Sequence, residues 1–263
     1  KPGYPLQSVE LIELQDILQE QIRRFGNHIF KDGSVVTSAG GLDVADCVLY
    51  ELQDGADENV TIGETDLIAF VDATNSTELL KARFIDFRSA RIVDGVVQPT
   101  MIGVVFNNGL TQNAITTGNT VQVYVQNAAG TNTTLIGTLN STTTREGKFA
   151  NIKNNIFYIS GYFTNINEQN HIFAVDNLST MDVEVGVELT WRIVDITDDD
   201  YKEQLFDPAQ NSLNDNTPGA DRLILQLELT DHTLNYTQQE TDWKFIPLLK
   251  YDNKPRKGFL YWK

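Results

Sequence analysis

Thr217-Pro-Gly-Ala-Asp-Arg-Leu-Ile-Leu-Gln-Leu-Glu-Leu229 sets the character of the fold. Pro218-Gly219 is a turn pair. Beyond it Leu223, Leu225, Leu227 and Leu229 alternate with Ile224, Gln226 and Glu228 in the two-residue period of a strand. One face of that strand is entirely leucine, which predicts a central core strand. Asp221-Arg222, where the turn ends, reads as an ion pair. It would make Pro218, Gly219, Asp221 and Arg222 a structural corner tied to a neighbouring strand, in preference to a ligand site.

Working back from this strand, the same texture fills most of the chain. Strand-like runs fall at Asp46–Leu52, Leu67–Val71, Leu79–Ile85, Arg91–Val97, Met101–Val105, Thr120–Gln126, Thr134–Leu139, Asn155–Phe163, His171–Val175 and Val183–Val194. Gly, Asn, Thr and Asp separate them. This pattern predicts a mainly β protein with antiparallel, sandwich- or barrel-like sheets and one N-terminal amphipathic helix. Thr77–Ala82 has a second reading as a short helix capped by Ser76 or Thr77. Residues 106–148 are rich in Thr, Asn and Gly, with stretches that bury little between aliphatic runs able to pair. The expected organisation is an N-terminal segment, helix and hairpin over 1–41, an inserted β subdomain over 42–150 and a β base domain over 151–229. A C-terminal extension over 230–263 follows. Residues 198–216 read as a polar connection with one helical turn around Tyr201–Leu205. Lys1 at the start and Gly258-Phe-Leu-Tyr-Trp-Lys263 at the end read as a fragment of a longer polypeptide.

The helix is expected over residues 8–25. Ser8 is an N-cap residue type, Glu10 adds negative charge in the first turn, and Gly26-Asn27 supplies residues that tolerate a left-handed stop. Leu11, Leu14, Leu18, Ile22 and Phe25 form an apolar seam flanked by Ile12 and Ile17. A helix of about eighteen residues is roughly 27 Å long and only marginally stable alone in water, so the seam requires a partner. Two are available: the chain's own β domain, or copies of the helix around a symmetry axis. After it, Ile29-Phe-Lys-Asp-Gly-Ser-Val-Val36 sets Asp32-Gly33 between apolar runs, a hairpin signal.

Leu6-Gln7, Glu10-Leu11, Leu14-Gln15, Phe25-Gly26, His28 to Val36, Gly161-Tyr-Phe163 and Pro218 to Leu223 together resemble a domain family of tail-fibre and baseplate-associated proteins of tailed bacteriophages, notably cyanophages. The matching pieces bracket residues 2–40 and 157–229. The resemblance implies a non-enzymatic virion part located in a phage tail or baseplate. Its partners would be copies of itself, with a trimer the favoured count by analogy with phage fibres, and other tail or baseplate proteins. The alternative from another class is a receptor-recognition module that binds host surface glycan through the Thr/Asn-rich loops and aromatic faces. Trp191, Trp243 and Trp262 are available for that role, but their strand-like contexts favour burial.

Asp and Glu outnumber Lys and Arg by 36 to 20, a net charge of −16. That balance argues against nucleic-acid binding, which needs a cationic surface to neutralise phosphates. The short basic stretch Lys250 to Lys257 reads as a solvated hairpin tip. The one cysteine, Cys47, excludes an internal disulfide and a thiolate metal cluster, and reads as a buried apolar residue. His28, His171 and His232 are too dispersed for a helical zinc pair. Asp198-Asp-Asp200 and Asp54 to Glu58 do not follow the order of a calcium loop and read as solvated. No apolar run is long enough to span a bilayer, and no phosphate loop, nucleophile elbow or dinucleotide fingerprint is present. The expectation is a protein with no catalytic residue, metal or cofactor.

Overall fold

Ser8–Ile29 forms the helix, α1, which continues through the expected stop at Gly26-Asn27. Gly26 takes no left-handed conformation; it allows the helix to lie flat against the ring of Tyr158, as detailed below. The chain leaves the helix after Ile29. Gly33, at φ 82°, then makes the turn, closed by Ser34 N–H donating to Lys31 O at 2.9 Å. The expected hairpin at Asp32-Gly33 is therefore absent. Its first arm is the end of the helix, and its second, β1 (Ser34–Val35), pairs with a distant strand. The computed structural model describes residues 8–37, 41–63, 65–93, 96–106, 115, 118–175, 183–195, 197, 222–233 and 243–251, with side chains from residue 13 onward in the helix.

The protein is mainly β, and its pairings are antiparallel. The next strands are β2 (Leu42–Leu52), β3 (Leu67–Asp72), β4 (Glu78–Arg88), β5 (Arg91–Val93), β6 (Val96–Gln98), β7 (Met101–Val105), β8 (Val121–Gln126) and β9 (Asn132–Ile152). In space the order runs β9-β2-β7-β4-β3-β8, and β8 returns to pair with β9, so that the six strands close on themselves as a barrel. Closure removes free edges. Two long strands turn the corners. The first part of β4 pairs with β3 and the rest with β7, across a bulge between Phe84 and Asp86. Likewise β9 pairs first with β8 and then with β2. Its 21 residues run through Ser141-Thr-Thr-Thr144, where sequence reading placed a loop. Threonine is β-branched and suits such a half-exposed strand. Thr77–Ala82 is likewise not helical, since β4 begins at Glu78.

Val48, Tyr50, Leu52, Ile68, Phe70, Ile102, Val104, Val123 and Ile136 fill the barrel interior, all essentially inaccessible. Each such side chain contributes on the order of 1.5–3 kcal/mol by leaving water. Outside the barrel wall, β12 (Gln169–Val175) pairs with the later half of β9. Its Ile172 packs over Gly103 of β7, where any Cβ would lie 2.4 Å from Ile172 Cδ1. Cys47, buried in the same layer, has its thiol pushed up to about 12 by burial and by neighbouring Asp46, so it stays protonated and inert.

A second core lies beyond. The run expected as one strand over Asn155–Phe163 is a hairpin, β10 (Asn155–Ile159) and β11 (Tyr162–Ile166), turned at Ser160-Gly161 with φ 52° and 92°. Arg91–Val97 is likewise split, into the β5–β6 hairpin. β1, β10 and β11 make one small sheet; β13 (Val183–Val194), β14 (Arg222–Thr233) and β15 (Trp243–Tyr251) make another. Phe157, Ile159 and Ile166 of the first meet Val185, Val187, Leu189, Leu227, Leu229 and Ile246 of the second, with Ile152 and Phe173 between. Among the described strands the leucine-faced β14 stands at an edge and not in the central place expected from its sequence: β13 lies between β14 and β15. Accordingly Leu227 and Leu229 are buried, whereas Leu223 is half-exposed.

Candidate interaction surfaces

Helix α1 rests on the body through a narrow line of residues. Gly26 lies against Tyr158, whose hydroxyl is 2.7 Å from Asn27 Oδ1 and 3.0 Å from the Arg23 carbonyl oxygen. Gln19 Nε2 donates to the Gly161 carbonyl oxygen at 3.3 Å, and the methylenes of Arg23 cover Gly161, where a side chain would meet Arg23 Cγ at 2.4 Å. Phe30 closes the contact in a ring cluster with Tyr158 and Phe163. Residues 19, 23, 26 and 30 step by four, three and four, which is one face of a helix. Glu20 is held down at about 2 by hydrogen bonds from Arg23 and Arg24, at 2.6 and 2.7 Å, beside the contact.

The apolar seam is the neighbouring face, about 100° around the helix axis, and the described residues of the β body do not cover it. Leu14, Ile17, Leu18, Ile22, Phe25 and Ile29 are each 45–65% exposed. Of the two neighbours the sequence allows, the chain's own β domain is therefore not the one met by these residues; the side chain of Leu11 lies outside the described residues. Sequence pattern identified the apolar face and left two neighbours open, the chain's own β domain or copies of the helix; the exposure of these side chains disfavours the first. The docking line is polar and small, so no hydrophobic period marks it. Gly161, in Gly161-Tyr-Phe163, was its trace in the sequence.

A second apolar surface begins close by. Among the described residues, the last residues of β13 pair with β14, Trp191 opposite Leu225 and Ile193 opposite Leu223, beyond the end of the pairing with β15. These continue the core-facing register of Val185, Val187 and Leu189 beyond the core. Trp191, Ile193 and Leu223 are consequently 43%, 73% and 53% exposed, so Trp191 departs from its expected burial. Lys244, opposite Leu189, bonds Asp32 at 2.6 Å and Ser160 at 3.0 Å, tying this end of the sheet to the turn after α1. The side chain of Trp243 and all of Trp262 lie outside the described residues, as do Pro218, Gly219 and Asp221; Arg222 opens β14 as an exposed residue.

A polar cleft separates the end of β4 from β12 and β14. His171 Nε2 lies 2.7 Å from Asp231 Oδ1, and its Nδ1 lies 3.9 Å from Asp86 Oδ2; Arg91 reaches Asp231 at 3.4 Å. Three elements are thereby joined through one histidine. Burial pushes Asp86 up to about 6, against the opposing pull of His171 and the backbone N–H groups of Phe87 and Ile172. Asp231 is more enclosed still, yet the hydrogen bond and charge of His171, then Arg91, outweigh burial and hold it below the ordinary carboxylate range. Arg88 also lines this cleft. Sequence reading ended the strand at Ile85 and so passed over Asp86 and Arg88, although the alternation continues to Arg88.

The acidic loop at Asp54 to Glu58 is occupied by local bonds: Asp57 caps Asn59 N–H, and Glu58 accepts from Thr100 at 2.9 Å and from Ser89. Among the described residues no group of three or more His, Cys, Asp or Glu is arranged to hold a metal ion. None of the described helices is long and apolar enough to cross a membrane. No protein-family model, curated protein or solved structure matches this chain.

Proposed function

We propose that this chain is a structural assembly module, acting by association and not by catalysis, and that the association runs through the apolar face of α1. The observation that carries this reading is the division of labour on the helix: one line docks on Tyr158 and Gly161, and the adjacent line leaves six large apolar side chains half-exposed. Contiguous exposed apolar surface of this kind marks interaction sites. A helix fixed to a rigid body and presenting a seam outward suits packing against copies of itself around a symmetry axis. We assign a homotrimer, and, on the motif resemblance, a place in the tail or baseplate of a phage with other tail proteins as further partners.

Replacing Leu18 by Asp tests this. Leu18 sits mid-seam and is half-exposed in the single chain, so a charge there leaves the body intact and falls in the interface. Burying an unpaired carboxylate there is expected to weaken association by about 3 kcal/mol or more, on the order of a hundredfold. Light scattering is expected to report single chains with unchanged far-ultraviolet circular dichroism. An oligomer of undiminished stability would remove the helix from the interface.

A further inference from the structure

Arg88 is the least compensated charge among the described residues. It is 6% exposed, and its Nε and both Nη atoms have no hydrogen-bond partner among the described residues. A guanidinium cannot shed its proton to relieve this, and a buried unpaired charge destabilises a fold by several kcal/mol. Two of the three carboxylates lining the cleft are already committed. Asp231 serves His171 and Arg91, and Asp86 faces His171 while accepting from the Phe87 and Ile172 N–H groups. Arg91 shares the condition in part, since its Nε is also buried and unpaired while Nη1 holds Asp231. Both arginines line the same cleft, which has a volume of about 570 Å³, within the range of small-molecule sites.

We propose that this cleft binds a small molecule through its carboxylate, with Arg88 as the principal anion-binding residue and Arg91 Nε as a second donor. The guanidinium fork matches carboxylate and phosphate alike, but the surroundings discriminate. Asp86, Asp231 and Glu228 also line the cleft, and their negative field disfavours a dianion more than a monoanion. The remaining walls carry Ser89, Asn170 and Thr230 beside the apolar Phe87, Ala90 and Leu229, a mixture that suits a carbon body with both hydroxyl groups and C–H faces better than a wholly fatty one. The chemical class is thus a sugar acid or its equivalent. This site is separate from the seam of α1 and stands whether or not that seam assembles the protein.

The test is calorimetric titration of the whole chain with glucuronate, glucose, acetate and inorganic phosphate, alongside Arg88→Gln and Arg88→Lys. Expected are saturable binding of glucuronate, weaker binding of acetate and phosphate and none of glucose. Arg88→Gln is expected to bind glucuronate at least tenfold more weakly while melting no lower than the native chain, because the substitution removes an unpaired charge. Arg88→Lys keeps the charge and loses the fork, so binding is expected to be weakened and not restored. Should either variant fail to fold, the Arg88 Nε–H resonance of the native protein is expected to move on adding glucuronate and to stay fixed on adding glucose. Absence of saturable binding by any carboxylate, an unmoved Arg88 resonance, or equal affinity in Arg88→Gln would overturn the site. Phosphate binding tighter than glucuronate would overturn the carboxylate assignment, and acetate binding equally well would overturn the hydroxylated body.

Discussion

Substituting alanine for Gly26 separates two explanations for that glycine. In an open helix position alanine is favoured over glycine by about 0.8–1 kcal/mol, so a merely tolerated glycine would yield a stabilised protein. Here the added Cβ would stand 2.3 Å from Tyr158 Cε2 and 2.6 Å from both Cζ and Oη. Tyr158 cannot retreat. It is fully buried, its ring centroid lies 5.1 Å from that of Phe163 and 5.6 Å from that of Phe30, and its hydroxyl bonds the helix. Overpacking of this kind destabilises by roughly 1–3 kcal/mol, and losing the tyrosine hydroxyl bond adds about 1 kcal/mol. After the helix-propensity gain, Gly26→Ala is expected to be destabilising by about 1–3 kcal/mol. The loss is expected first in the docking of α1. Urea unfolding measures the total, and hydrogen exchange of amides 20–29 measures the helix separately. On a Tyr158→Leu background, where the ring is gone, the same Gly26→Ala change is expected to stabilise by about 0.5–1 kcal/mol. A stabilising Gly26→Ala in the native background would refute the close-approach argument.

Gly186 of β13 is more constrained still: a Cβ there would lie 2.1 Å from the Ile246 carbonyl oxygen and 2.8 Å from its carbon, both backbone atoms. Gly186→Ala is expected to break the β13–β15 pairing and destabilise by about 3 kcal/mol or more in urea melts; a change within about 0.5 kcal/mol would mean that the strands are not so closely apposed. Asp86 titrates with a sign that can be worked out. Its folded value of about 6 exceeds the 3.8 of an open aspartate, so the stability linked to its protonation is complete below pH 3.8 and is lost as pH rises through 6. Asp86→Asn is accordingly expected to match the native chain near pH 4 and to exceed it at pH 7 by up to about 3 kcal/mol; equal melts at both pH values would contradict the burial of that carboxyl. Asp231, held below its ordinary range, contributes in the opposite sense, with stability lost as pH falls through its lowered value.

Local features were legible in the sequence because each rests on neighbours along the chain. Ser8 begins the helix, the apolar runs became strands, two of them split into hairpins, and the leucine alternation after Arg222 is a strand. Two misreadings and one feature left unread share one cause, that the decisive partner is distant. Gly26-Asn27 has the composition of a helix stop, and only Tyr158, 132 residues away, explains why a glycine is needed inside the helix. The leucine face of β14 was taken for a central strand because alternation reports which face is apolar, not whether strands lie on both sides. The barrel closure rests on β8 meeting β9 and on two bent strands that change neighbours midway, which no local pattern encodes. The same limit applies to function. The seam on α1 could be named from its spacing, whereas the line that docks it is polar and small. The cleft around Arg88, His171 and Asp231 joins residues from three strands that share no sequence motif.

The account turns on α1 being fixed to the β body with its apolar face outward and used for self-association. The molar mass of the native chain in solution, determined by light scattering across a dilution series, tests this most directly. The account predicts a particle of three times the 29.5 kDa chain mass. A mass of one chain at every concentration would contradict it.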